Sequence, residues 1–291
     1  MKTIIITGSN GFIGSNLVNA LSQKYKILLL LRFKKKGKKP NYEFSQNISF
    51  KFFKDNNELY KKAKNINADC LIHCATHYVK NHKINDINKI INSNIEFGTI
   101  LLDNLKNMKI KKFINFSTIW ENYNGILNNP LNLYSASKQS FEKIVNYYQL
   151  KNKKTSFYNL FISDTYGEND KRKKLISILK KNITNKKETK IISKNLFINL
   201  LYVKDIINGV KILLEKKIKP GKYSLINEKS FKISELILCI KKKEKIKIKI
   251  KWLSSKIIKE KIYKYKSLPH WKSKSSDINQ MAQFILKNYK T

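Results

Sequence analysis

Arginine is nearly absent from this chain. Of 60 basic residues only Arg32 and Arg172 are arginines; they face 20 acids, and the formal charge is +40. A surface built to read nucleic acid favours arginine forks interleaved with aromatics. Here lysine is spread over loops and helices alongside asparagine and isoleucine, as compositional drift in an AT-rich genome would leave it. A nucleic-acid partner is therefore disfavoured, although the diffuse positive field still attracts anionic ligands. No run of eighteen apolar residues occurs, which excludes a membrane-spanning helix. Only Cys70, Cys74 and Cys239 carry thiols, in keeping with a reduced compartment. Strand-like sequence from residue 3 leaves no room for a signal peptide, and a cytoplasmic location is expected. The Gly-x-Ser-x-Gly elbow of α/β hydrolases is missing, and no internal repeat is evident. Cys70, His73, Cys74 and His77 have spacings used for zinc. Strand alternation sends Cys70 and Cys74 to one face and His73 to the other, so no metal is expected.

At 291 residues the chain can bury a sizeable core. Strands are expected at 2–7, 27–31, 48–53, 69–75, 113–117 and 156–162. Helices are expected between them at 12–23, 56–65, 85–107 and 131–151. This alternation describes a doubly wound parallel sheet of the Rossmann type, class α/β. Past residue 163 the rhythm changes. Helices at 171–183, 204–216 and 233–242 mix with short strands at 189–193, 198–203 and 222–226. The alternating Lys245–Trp252 stretch reads as a half-exposed strand. The expected organisation is a dinucleotide-binding domain over 1–163. A smaller C-terminal α/β substrate lobe follows over 164–291, with segments at about 198–226 returning to the main domain.

Gly8, Gly11 and Gly14 follow an apolar strand and open a helix. Their spacing, G-x-x-G-x-x-G, is one residue wider than the commonest dinucleotide fingerprint. One glycine permits the tight turn, the next lets backbone N–H groups approach a pyrophosphate, and the third lets helix and strand pack closely. Gly8, Asn10, Gly11, Phe12, Ile13 and Gly14 are the expected phosphate cradle, at a helix N-terminus. Past the second strand an acid would bind a ribose 2′-hydroxyl and repel a 2′-phosphate. No acid lies between Ile27 and Lys36; Arg32 is there instead, followed by Lys34, Lys35 and Lys36. The planar arginine fork suits phosphate, so NADP is favoured over NAD.

Tyr134-Ser135-Ala136-Ser137-Lys138 places a phenol and an ammonium one helical turn apart. A lysine close by, aided by a positive nicotinamide, would favour the phenolate and bring it into the range of acid–base work. At the end of the fifth strand Thr118 is the expected hydroxyl for the reacting oxygen, with Ser117 as understudy. Trp120 and Tyr123 are loop aromatics that either line a sugar pocket or pack.

With these motifs the chain resembles the extended short-chain dehydrogenase/reductases, in particular the NAD-dependent epimerase/dehydratase group that acts on sugar nucleotides. The resemblance covers nearly the whole length. By it, Asp55-Asn56 sits where the family contacts adenine. Ile72-His73-Cys74-Ala75-Thr76 is similar to its segment beside phosphates and nicotinamide, which implies cofactor contacts from Cys74, Ala75 and Thr76. Asn94 matches the family's helix asparagine, and Ile162 is placed on the cofactor with Tyr134 and Lys138. Asp164 to Asp170 is similar to the turn into the substrate lobe, and Leu201 to Asp205 to a later family stretch. Ser163 is placed on the substrate with Thr118. Departures carry information too. Dehydratases have Asp-Glu after the active threonine, and this chain has Ile119-Trp120, so 4,6-dehydration is disfavoured. The family's Arg-Asp pair is Ile198-Asn199 here, which leaves Arg172 or Lys194 to serve the substrate diphosphate.

Within the family, the segment from Asn132 to Glu142 looks most like CDP-abequose and CDP-paratose synthases. The resemblance implies NADPH-dependent reduction of a nucleotide-linked 4-keto-deoxysugar, with an NAD-dependent nucleotide-sugar 4-epimerase as the alternative. A non-catalytic cofactor-binding or RNA-associated protein is the second alternative. A homodimer through helices 85–107 and 131–151 is implied as well.

Overall fold

Three consecutive isoleucines split the first strand between two cores. A computed structural model describes residues 1–32, 45–244, 246–274 and 277–287. In β1 (Thr3–Thr7), Ile4 and Ile6 face one hydrophobic cluster and Ile5 the other, all at 0% exposure. A strand covered on both faces has no polar side, which is why this segment carries no alternation.

The chain then runs α1 (Phe12–Leu21), β2 (Lys26–Arg32), β3 (Ile48–Phe53), α2 (Asn56–Ala63) and β4 (Asn67–His73). After α3 (Ile84–Ile91) and α4 (Phe97–Asn104) come β5 (Lys109–Thr118), α5 (Leu133–Lys151) and β6 (Ser156–Ile162). Short strand β7 (Asp164–Tyr166) leads to α6 (Leu175–Thr184), β8 (Thr189–Ile191), β9 (Phe197–Ile198), β10 (Leu200–Tyr202) and α7 (Val203–Glu215). The chain ends with β11 (Gly221–Leu225), β12 (Phe231–Lys232), α8 (Ile233–Glu244), β13 (Ile250–Trp252) and α9 (Ile278–Leu286).

The main sheet has seven parallel strands in the order β11-β6-β5-β4-β1-β2-β3. The chain winds from β1 toward β3, then crosses back to β4 on the other side. Ligands bind at such a reversal, outside the carboxyl ends of the strands. Helices α1 and α7 pack on one face with Leu17, Leu21, Ile206 and Val210; α2, α4 and α5 cover the other with Leu59, Leu101 and Phe141. A third cluster holds α6, α8 and α9 together as a separate lobe through Leu179, Leu236 and Met281. Among the described residues, no helix is long and apolar enough to cross a membrane.

Three local differences from the sequence expectations have physical causes. The helix expected over 85–107 is interrupted by a π turn at Asn92–Glu96, which turns Asn94 fully inward. The strand expected over 198–203 divides at Asn199, because β9 pairs with β12 while β10 pairs with β7. In the Lys245–Trp252 stretch, Lys245 lies outside the described residues, and among the described ones ladder pairing is confined to β13, whose partner β8 spans three residues. Ile246 and Ile248 nevertheless pack on the lobe core. Lys34, Lys35 and Lys36 lie outside the described residues.

Candidate active site

The glycine loop is sterically obligatory. Gly8 has φ +66°, and a Cβ there would stand 2.5 Å from Ala75 N. A Cβ on Gly14 would stand 2.3 Å from the Gly8 carbonyl oxygen. Gly11 N–H donates to that same oxygen at 2.9 Å and serves as the N-cap of α1 with no side-chain cap. First-turn amides are therefore left for an anion. Gly8, Gly11, Phe12, Ile13 and Gly14 line one wall of a cleft of about 350 Å³. The cradle fits a dinucleotide pyrophosphate, since Gly8, Gly11 and Gly14 present bare backbone to the cleft.

Opposite this wall stand Thr118 and Tyr134, which line the same cleft. Alternation along β5 sends Thr118 to the cleft and Ser117 to the α5 side. Ser117 Oγ donates to the buried carboxylate Glu121, so it is not a second hydroxyl for the substrate. Helix α5 starts from a capping box between Asn132 and Ser135, which fixes where its first turn projects. Tyr134 is in that turn, edge-on to Tyr78 with ring centroids 4.9 Å apart. Lys138 is one turn further in, 3% exposed.

Burial dominates the electrostatics of the protein groups here. Burial, and next the charge of Glu121, push the Tyr134 phenol above its usual range, so it holds its proton. Lys138 is pushed down to about 8 by burial, a fall opposed by Glu121 and Cys74. Its cationic form is too desolvated to pull the phenol down on its own. Glu121, 1% exposed, is itself pushed up to about 8 by burial.

Asn94 supports this pair from behind. Its amide oxygen accepts from His77 N at 2.6 Å and Thr76 Oγ1 at 3.0 Å, while its nitrogen donates to Ser137 Oγ at 2.9 Å. It clamps the segment after β4 to α5 rather than lining the cleft. Cys74 and Thr76 do line it; Ala75 donates its N–H to Thr7 Oγ1 at 3.3 Å.

The substrate side is built from separated segments. Ile162 and Ser163 line the cleft, and Ser163 Oγ is buried without a partner. Lys174 forms an ion pair with Asp164, its Nζ 4.6 Å from the Tyr78 ring centroid and 4.9 Å from that of Trp120. Arg172 lies 4.3 Å from the ring centroid of Phe12, gripped by both oxygens of Asp170 and by the Thr165 carbonyl. It therefore stands at the phosphate loop. A side cavity of about 130 Å³ shares Trp120 and Asp164 with the cleft and adds Asn199, Ser230 and Glu260. Burial, and then the nearby Asp164, push Glu260 up to about 7 against a hydrogen bond from Trp120.

Residues 4–226 match the model of the NAD dependent epimerase/dehydratase family. The chain belongs to that family. It is an enzyme of the group that modifies sugar nucleotides. It is similar to a CDP-abequose synthase of Yersinia pseudotuberculosis, 27% identical over 209 residues, covering 71% of each chain. Against a CDP-abequose synthase of Salmonella muenchen it is 25% identical over 260 residues, 86% of this chain and 84% of the other. Its fold resembles the UDP-glucuronic acid 4-epimerase from Bacillus cereus in complex with NAD, with TM-score 0.80 and 22% identity over 99% and 97% of the two chains.

Other residues named from sequence are placed less centrally for an enzyme of this family. Arg32 is exposed at the carboxyl end of β2, 6.0 Å from the Phe53 ring centroid, and Asn10 is exposed beside the glycine loop. Asp55 caps α2 by accepting from Glu58 N at 2.8 Å, and Asn56 donates to Glu96 at 2.7 Å. None of these four side chains lines the cleft. Lys194 is exposed and away from it; β8 and the turn after it carry this residue on the lobe's outer side. Tyr123 is bonded into its own loop through Asn129. Sequence reasoning missed Tyr78, Asp164, Lys174, Glu121 and Glu260. For Lys174 the signal was its place four residues past the turn that ends in Asp170.

Proposed function

We propose that this enzyme reduces the C4 ketone of a nucleotide-linked deoxysugar and takes its hydride from NADPH. The observation that carries the reading is the meeting of a protonated Tyr134 with Thr118 in one cleft beside the glycine loop. Gly8 to Gly14 and the N-terminus of α1 would hold the pyrophosphate, and the bound nicotinamide would supply the hydride. Tyr134 gives its phenolic proton to the C4 oxygen as the carbonyl becomes an alkoxide. Thr118 donates a hydrogen bond to that oxygen and orients it. Lys138 places positive charge behind the phenol and stabilises the phenolate left after transfer. Trp120 and Tyr78 offer apolar faces to the sugar, and Lys174 supplies a cation on the substrate side, the role assigned from sequence to Arg172 or Lys194. Arg32, with no acid on its strand end, supports the phosphorylated dinucleotide over NAD. Ile119-Trp120 in place of an acid pair argues against dehydration.

A homodimer is part of this proposal. Ile84, Ile91, Tyr147 and Leu150 leave apolar surface on α3 and α5, which a second copy would cover. A 4-epimerase that retains NAD is the second reading, supported by the fold likeness to such an enzyme. It needs the same residues, with Tyr134 working first as base. A panel of 4-keto and 4-hydroxy sugar nucleotides separates the two. The reductase consumes NADPH with 4-keto substrates alone, whereas an epimerase converts 4-hydroxy substrates with no added cofactor. Loss of NADPH consumption across the whole 4-keto panel contradicts the proposal.

A further inference from the structure

Behind α5, out of reach of any ligand in the cleft, lies a second set of charges. Glu121, in the turn after β5, is 1% exposed and accepts from Ser117 Oγ. Its main-chain oxygen accepts from Gln139 Nε2 at 3.2 Å, which ties the turn to α5 beside Lys138. Glu142, one turn beyond Lys138 and 5% exposed, is occupied by an ion pair with Lys222 of β11 and a hydrogen bond from Asn146. Lys138 thus has two buried acids as neighbours, and one of them already has a cationic partner.

We propose that Glu121 is a positioning residue of the reaction, a buried carboxylate held by Ser117 whose negative charge compensates the buried Lys138 ammonium behind Tyr134. The inference rests on the reading that Tyr134 and Lys138 act in turnover. A lone ammonium at this depth would shed its proton; a carboxylate close by keeps it charged. Burial drives the acid up and the amine down, and the charge of each opposes the other's shift, so the two titrate as a pair. The groups facing them are Tyr134 and Glu142 on α5, Lys222 on β11, Tyr265, and His73 and Cys74 at the end of β4. Glu121 does not line the cleft; it acts through Lys138.

Glu121→Gln removes the charge and keeps the shape. In the pH profile of kcat with NADPH and a 4-keto sugar nucleotide, its alkaline limb moves down by about 1–3 pH units. KM for the sugar stays within about twofold, and Glu121→Asp restores the limb. A limb that does not move, with kcat lowered evenly at every pH, reduces Glu121 to a packing residue and overturns the proposal. Ser117→Ala, which strips the hydrogen bond but leaves the acid, moves the limb in the same direction.

A second readout needs no turnover. Without the charge of Glu121, folded Lys138 gives up its proton at lower pH than in wild type, while the unfolded lysine keeps it, and a chain that binds more protons unfolded than folded gains stability as pH climbs. Glu121→Gln therefore gains stability relative to wild type between pH 5 and pH 8, measured by urea unfolding. A difference independent of pH overturns the proposal even where no sugar nucleotide is turned over.

Discussion

The two walls of the cleft are made in opposite ways. The cofactor wall comes from one continuous segment, Gly8 to Gly14, whose backbone stays open because a Cβ on Gly8 or Gly14 would meet backbone at 2.5 or 2.3 Å. The substrate wall gathers Tyr78, Trp120, Asp164 and Lys174, single residues from four separate stretches. The first wall tolerates no variation without strain. The second presents charges and rings on separable supports, so specificity can change there without touching the fold. That contrast orders the expected effects of substitution.

The largest effect falls where the walls meet. Tyr134→Phe removes the proton that this account transfers to the C4 oxygen, and kcat drops by about 10²- to 10⁴-fold. Dinucleotide binding, followed by NADPH fluorescence, stays near wild type. A smaller loss in kcat would make another group the proton donor. On the cofactor wall, Gly14→Ala forces a Cβ into the Gly8 carbonyl; it costs about 1–3 kcal/mol in urea unfolding and weakens dinucleotide binding. If Gly14→Ala binds NADPH normally, the loop is not the phosphate cradle. On the substrate wall, Lys174→Met raises KM for the sugar nucleotide by about 10- to 150-fold, the loss of one charge-assisted contact of about 1.5–3 kcal/mol. The KM for NADPH stays near its wild-type value. An equal rise for both would place Lys174 on the wrong wall.

The last effect leaves catalysis aside and concerns a buried residue at the end of β4 that does not line the cleft. His73, 1% exposed, bonds Thr7 Oγ1 through Nδ1 at 3.0 Å and packs against Phe97, Phe113 and Phe141. Burial, and then Lys138, push its pKa down to about 3. The unfolded histidine titrates near 6.5 and so binds a proton that the folded one refuses. Stability is then lost as pH falls below that value, by about 2 kcal/mol between pH 7 and pH 5 from this residue. Comparing wild type with His73→Asn in urea at both pH values checks it; equal losses would show that His73 charges in place.

The same contrast explains what could be read from residues alone. Gly8 to Gly14 and Tyr134 to Lys138 are local spacings, and helix or strand periodicity converts them directly into geometry. The order of β1 to β6 was legible for the same reason, since fully buried strands and amphipathic helices alternate there. Lys174 was overlooked, with Arg172 or Lys194 offered for the diphosphate, because the lobe's short strands decide which lysine turns inward, and pairs such as β9 with β12 leave no periodic trace. Thr118 was named with Ser117 as understudy; the strand's alternation puts Thr118 in the cleft and Ser117 on Glu121. The burial that pushes the Tyr134 phenol up and the Lys138 amine down is a property of packing and not of spacing.

The most direct test is hydride transfer itself. With NADPH carrying deuterium at the transferring position of nicotinamide C4 and a 4-keto sugar nucleotide as substrate, the product should gain one deuterium at sugar C4, read by mass spectrometry and NMR. A product formed without deuterium at that carbon would contradict the account.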